Sequence, residues 1–172
     1  MPRVFVSYRH VKPDEDLARG LEDHFRRAGF QVFLDTQIQT GMDWVREIAR
    51  QIGEASHFLV LLSSESILSD MVREEVRLAH ERFREGALSI LPVRVALEGQ
   101  LPYDLGSYLN RIQWDRWNTS EPFQAIAERL AQVIAGNRVA PCQNLLQIMR
   151  QEPQTGSTNK PARHCQRRTR AS

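Results

Sequence analysis

The sequence predicts an α/β fold in three layers: a five-stranded parallel sheet with helices on both faces. Two observations carry this reading. Up to about residue 136, short β-rich runs alternate with longer segments of helical period, the pattern of parallel strands joined by crossover helices. Two of the runs, Val4 to Tyr8 and His57 to Ser63, are also nearly continuous in apolar residues, as strands covered on both faces must be.

Each element follows in order. After the first strand, Val4 to Tyr8, either Asp14 or Asp16 is placed to cap a helix in which Leu17, Leu21 and Phe25 recur every four residues and which Gly29 ends. Gln31 to Leu34 reads as the second strand, and Trp44, Val45, Ile48 and Ile52 mark the apolar face of a second helix. The third strand, His57 to Ser63, runs into a Ser63-Ser64-Glu65-Ser66 turn. A third helix then carries Val72, Val76, Ala79 and Phe83, with Ser69 or Asp70 as its cap. Ser89 to Val95 is the fourth strand, Glu98 to Tyr108 a loop or one short helix, and Arg111 to Asp115 the fifth strand. The last helix opens at Ser120-Glu121-Pro122 and buries Phe123, Ile126, Ala127, Leu130, Val133 and Ile134.

Composition bounds the rest. The chain has 172 residues, 41% of them hydrophobic and 26% charged, ordinary values for one globular domain, which we place at residues 1–136. Residues 137–172 turn to Gln, Asn, Pro, Ser, Thr and Arg and read as a basic tail or linker of the kind that stays disordered. The formal charge of +2 conceals an asymmetry, since this tail carries +6 and leaves −4 on the domain. The tail holds no Phe, Trp or Tyr on which bases could stack, so nucleic-acid binding is not expected. Cys142 and Cys165 form no disulfide framework or metal-ligand spacing, and no metal or resident cofactor is expected. The longest purely aliphatic or aromatic run, Phe58 to Leu62, is far too short to span a bilayer, and the N-terminus enters a strand without the regions of a signal peptide. A cytoplasmic location is the expectation.

Ligands of an open parallel sheet gather beyond the C-terminal ends of its strands, which directs attention to Ser7 to His10, Asp35 to Gly41, Ser63 to Ser66 and the start of the third helix. Helix geometry separates two adjacent acids there. The apolar face through Val72, Val76, Ala79 and Phe83 leaves Glu74 on the solvent side and puts Glu75 on the margin of the buried face, where a carboxylate can reach into a cleft. The plainer reading of Glu75 is a boundary acid paired with Arg73 or Arg77.

Taken in order, Val4-Phe5-Val6-Ser7-Tyr8-Arg9-His10, Gly29 to Asp35, Gly41-x-x-Trp44, Phe58 to Ser63, and Ser69 to Val76 resemble the motifs of a TIR (Toll/interleukin-1 receptor) domain, in particular the bacterial NAD-hydrolase-like type. The resemblance covers residues 3 to about 136 and implies a flavodoxin-like fold. Some members of that family only assemble, whereas others hydrolyse or cyclise NAD⁺ with a glutamate that matches Glu75. Loss of nicotinamide from NAD⁺ gives a neutral leaving group and needs no general acid, so one carboxylate suffices to stabilise the cationic ribosyl centre; ordinary glycosidases need two. The resemblance further implies that Arg9, His10 and Gln39 line the nucleotide site, with Tyr8, Asp35 and Trp44 as companions. Each has a plainer role: core or interface packing for Tyr8 and Trp44, a turn cap for Asp35, a surface ion pair for Arg9. One departure stands out at Met71, four residues before Glu75, where active bacterial members commonly carry Trp.

The function this implies is NAD⁺ hydrolysis switched on by self-association in defence signalling, with loop residues 36–43 (the family's BB loop) at the contact between copies and a sensor partner outside this sequence. The alternative is a non-enzymatic scaffold that uses the same loop to recruit other TIR domains. Other chemistries lack their residues. A phosphoacceptor domain needs an acidic pair where Ser7-Tyr8-Arg9 stands, no Gly-x-Ser-x-Gly elbow surrounds Ser63, and no Gly-x-Gly-x-x-Gly turn follows the first strand.

Overall fold

The computed structural model describes residues 1–34 and 43–136. Within them lie five strands, β1 (Arg3–Ser7), β2 (Gln31–Leu34), β3 (His57–Leu62), β4 (Ser89–Val95) and β5 (Asp115–Trp117). They form one fully parallel sheet in the order β2-β1-β3-β4-β5. The chain therefore leaves β1 first to one side and then to the other, so a crevice opens between the C-terminal ends of β1 and β3.

Five helices cover the sheet: α1 (Asp14–Arg27), α2 (Trp44–Glu54), α3 (Asp70–Arg84), α4 (Tyr103–Leu109) and α5 (Phe123–Gly136). Strand alternation sorts the side chains between two cores. Val4, Val6 and Tyr8 of the β1 segment pack with Leu59 and Leu61 beneath α1 and α5, through Leu17, Leu21, Phe25, Ile126 and Leu130. Phe5, Phe58, Val60 and Leu62 pack on the other face beneath α2, α3 and α4, through Ile48, Ile52, Val72, Val76 and Leu105. The Phe5 ring stacks on Phe33 and Phe58 at centroid separations of 5.4 and 5.6 Å, contacts worth about 0.5–1.5 kcal/mol each beyond burial. On the α1 side, α5 comes close because Gly20 has no side chain; a Cβ there would lie 2.8 Å from the Phe123 ring.

Several elements differ from expectation. The fifth strand is Asp115–Trp117, not 111–115: Ile112 packs instead into the core under α4, and Trp114 stacks beneath the Arg94 guanidinium at 3.8 Å. Neither Asp14 nor Asp16 caps α1. Pro13 occupies the cap position without a side-chain bond, and Asp14 is the first helical residue, fully buried. Of the apolar face proposed for α2 only Ile48 and Ile52 are buried, with Trp44 39% and Val45 59% exposed at the first turn. Phe83 and Val133 likewise lie on half-open surface. A 3-10 turn, Ser66–Leu68, precedes α3, whose cap is Ser69 accepting from the Val72 N–H. Gly29 ends α1 at φ +85°, a conformation side-chain-bearing residues rarely adopt.

Candidate active site

The polar residues beyond β1 and β3 are held by two buried carboxyl groups, one on each face of the sheet. On the α3 face, Glu75 is 2% exposed and its Oε2 accepts a 2.5 Å hydrogen bond from Ser7 Oγ, the last residue of β1. Sequence dictates this meeting. Ser7 follows Phe5 by two residues and so points to the same face, and Glu75 sits beside Val72 and Val76 on the inward side of α3. Glu74 turns outward to Arg77, whose guanidinium holds its carboxyl below the usual carboxylate range. Arg77 also reaches Glu81, while Arg73 pairs with Asp70 and Asp104.

On the α1 face, Asp14 Oδ2 accepts a 2.6 Å bond from Ser63 Oγ, just past β3. Ser63 and Ser66 then bond reciprocally, each backbone N–H donating to the other's hydroxyl. Burial pushes the Asp14 carboxyl up to about 6, partly opposed by the Ser63 hydroxyl and the Arg9 peptide N–H, with the charge of Glu65 adding to the rise. Oδ1 closes no full hydrogen bond.

Over the crevice lies a cleft of about 400 Å³, lined by Arg9, Glu65, Leu68, Ser69, Asp70 and Met71. Its size falls in the range of small-molecule sites. Arg9 follows Ser7 by two residues and Met71 stands one helical turn before Glu75, so the cleft is framed by the same two segments that carry the Ser7–Glu75 bond. A second hollow of about 210 Å³, lined by Arg3, Phe5, Gln31, Phe33 and Gln51 among others, lies where the strands begin, the end at which ligands of such sheets do not gather.

The structure brings Arg9 and Met71 together on the cleft, while Glu75 and His10 are not among the residues lining it; Glu75 is buried behind it, bonded to Ser7. It does not bring Tyr8 with them: its side chain is 2% exposed and packs in the core under α1 and α5, its ring 4.9 Å from that of the exposed His10. Trp44 stands on half-open surface at the start of α2 and is not among the residues lining the cleft. Asp35, Gln39, nearly all of the 36–43 loop and the tail at 137–172 lie outside the described residues. The sequence points to Ser63 to Ser66 by their place after the third strand, but it offers Asp14 only as a helix cap. An acid before an amphipathic run reads as a cap, and nothing local announces a partner 49 positions away.

Among the described residues no three His, Cys, Asp or Glu side chains are gathered to hold a metal, and no helix is long and apolar enough to cross a membrane.

A family model described as TIR domain matches residues 4–131. No curated protein sequence matches the chain. Among solved structures, the TIR domain of a Toll-related receptor from Hydra magnipapillata superposes with a TM-score of 0.54 at 16% identity, over 86% of this chain and 97% of that one. A TIR-STING receptor from C. gigas gives 0.60 at 19% identity, over 76% of this chain and 38% of that one. A CMP N-glycosidase from Clostridium botulinum gives 0.54 at 14% identity, over 76% and 98%.

Proposed function

The chain belongs to the TIR domain family, and on that premise we propose that it is an NAD⁺ hydrolase that cleaves the bond between nicotinamide and ribose with Glu75 as its catalytic carboxylate. The observation that carries this reading is Glu75 itself: a buried acid at the β1–β3 crevice, held by Ser7 and placed one turn below the cleft wall at Met71. A surface acid would spend its charge on solvent. A buried one in a fixed orientation stabilises a developing positive centre strongly, because the surrounding medium screens it little. As nicotinamide leaves as a neutral molecule, the ribosyl carbon becomes cationic beside that carboxylate, and water or the substrate's own adenine captures it. Arg9 on the opposite wall supplies the charge that attracts a pyrophosphate. A CMP N-glycosidase, whose chemistry is likewise N-glycosidic, shares the fold.

A second reading, a scaffold without catalysis, draws on one further observation. Val45, Leu68 and Tyr103 are 59%, 66% and 92% exposed at or just before the starts of α2, α3 and α4, the end of the sheet where the cleft lies. Bare apolar groups around a rim favour contact with another protein surface. Both readings therefore involve assembly of TIR domains through this end of the molecule, with loop residues 36–43 at the contact, in defence signalling inside the cell.

The experiment is an NAD⁺ consumption assay with product separation, on dilute protein and on protein clustered on beads. The hydrolase reading expects nicotinamide release that rises more steeply than linearly with local concentration and disappears in Glu75→Gln. A wild-type chain that self-associates but leaves NAD⁺ intact when clustered establishes the scaffold instead.

A further inference from the structure

We propose that Asp14 is a positioning residue that sets the separation of the two cleft walls. This rests on the cleft assigned above, but its physical core stands apart from any reaction. Arg9 forms one wall, and Glu65 and Leu68 begin the other. Asp14 touches the support of both. Its Oδ2 holds Ser63, and Ser63 in turn holds Ser66 through the reciprocal pair that brackets Glu65. On the other side, Val11 N–H donates to Arg9 O at 2.7 Å and Glu15 N–H to Val11 O at 3.0 Å, which joins the turn that carries Asp14 to Arg9; the Arg9 peptide N–H also favours the ionised form of Asp14.

Asp14 has no role that a helix requires of it. It does not cap α1, it is fully buried, and a carboxyl sealed from water in this way is a liability that a fold rarely carries without purpose. The neighbouring acids of α1 behave differently: Glu15 pairs with Arg19 and Asp16 with Lys12, both at the surface. Among the other groups around Asp14, Glu65 on the turn after β3 adds negative charge, and Arg9 and His10 stand on the loop before α1. The close packing of α5 on α1, Phe123 against Gly20, comes nearly two turns further on and brings an apolar ring.

The ionised carboxylate is the better acceptor for the Ser63 hydroxyl and the form that the nearby Arg9 peptide N–H favours. Protonation turns one oxygen into a donor and weakens the acceptor for Ser63 Oγ, so the segment that carries Arg9 and Asp14 loosens from the serine turn.

The test uses the full chain. Amide ¹H–¹⁵N spectra are followed from pH 4 to 8 in a His10→Gln background, which removes the adjacent imidazole. The Arg9 and Ser66 amides are expected to move with one shared midpoint, near the Asp14 value of about 6. In Asp14→Asn that shared movement is expected to vanish, and in Ser63→Ala, which removes a bond to the ionised form, the midpoint is expected to rise. Amides that do not share a midpoint, or that keep it in Asp14→Asn, overturn the proposal. Should Asp14→Asn fail to fold, Ser63→Ala decides by the same shift. In the native background on clustered protein, Asp14→Asn is expected to raise KM for NAD⁺ roughly five-fold or more while kcat stays within about two-fold, the signature of lost ground-state placement. A loss confined to kcat overturns it. If the wild-type chain turns over no NAD⁺, the hydrolase reading fails and the amide titration alone decides the part played by Asp14.

Discussion

Ser7 Oγ and Glu75 Oε2 meet at 2.5 Å across 68 positions of sequence, joining the end of the first strand to the inward face of the third helix. The hydroxyl donates and the carboxylate accepts, which fixes the orientation of an acid that has almost no access to solvent.

Ser7→Ala removes that donor while leaving the acid in place. NAD⁺ turnover by clustered protein is expected to fall roughly 10- to 100-fold, the scale on which misplacing a reactive group lowers rates. Chemical denaturation is expected to show a loss of about 1–3 kcal/mol for the buried bond. Glu75→Gln should abolish turnover while retaining the wild-type circular dichroism spectrum.

Met71 lies on the wall above Glu75 and offers a thioether where a flat ring would stack on a base or nicotinamide. Met71→Trp is expected to lower KM for NAD⁺ about three- to ten-fold with little change in kcat. Initial rates over a substrate series check this, and an unchanged KM removes the base from this wall.

Asp14 carries a sign that stability measurements can read. Its folded value of about 6 lies above the unfolded one, so the native state binds the proton more tightly, and stability from this group is present at low pH and lost as pH rises through roughly 4 to 6. The difference in unfolding free energy between wild type and Asp14→Asn, measured by urea denaturation at steps across that window, is expected to drift against wild type by about 1–3 kcal/mol. A flat difference would place the carboxyl in solvent.

His57 works in the opposite direction. The ring is 1% exposed at the start of β3, and burial lowers its affinity for a proton. Its contribution to stability is therefore complete above the ordinary histidine value, about 6.5, and declines as pH falls below it. His57→Gln is expected to lack that decline in thermal scans between pH 7 and 5.

Gly29 is a purely local case. Its φ of +85° costs a side-chain-bearing residue about 1 kcal/mol, so Gly29→Ala is expected to lower Tm by a few degrees without changing any property of the cleft.

Strand alternation and helical period made most of the fold legible. Phe5, Phe58 and the leucines of β3 announce a doubly covered sheet, and Leu17, Leu21 and Phe25 announce the helix that covers one side of it. The fifth strand was displaced because Ile112 and Trp114 imitate strand alternation, whereas the true strand, Asp115 to Trp117, carries little apolar signal of its own. Trp44 and Phe83 suit their helical stripes by spacing yet sit past the reach of the core. Within the site, periodicity separates Glu75 from Glu74. The partners of Glu75 and Asp14 come from strands that the topology alone brings near, and no window of sequence contains both members of either pair.

The outer strands of the sheet are its shortest, four residues in β2 and three in β5, and on the β5 side Arg129 clasps Asp115 and the carbonyl of Arg116. So brief a row of unpaired backbone groups gives an incoming strand little to zip onto. Short margins of this kind disfavour a continuous cross-molecule β-ribbon, the usual route from ordered assembly into aggregation, and leave helices and loops as the surfaces on which copies of this chain would meet.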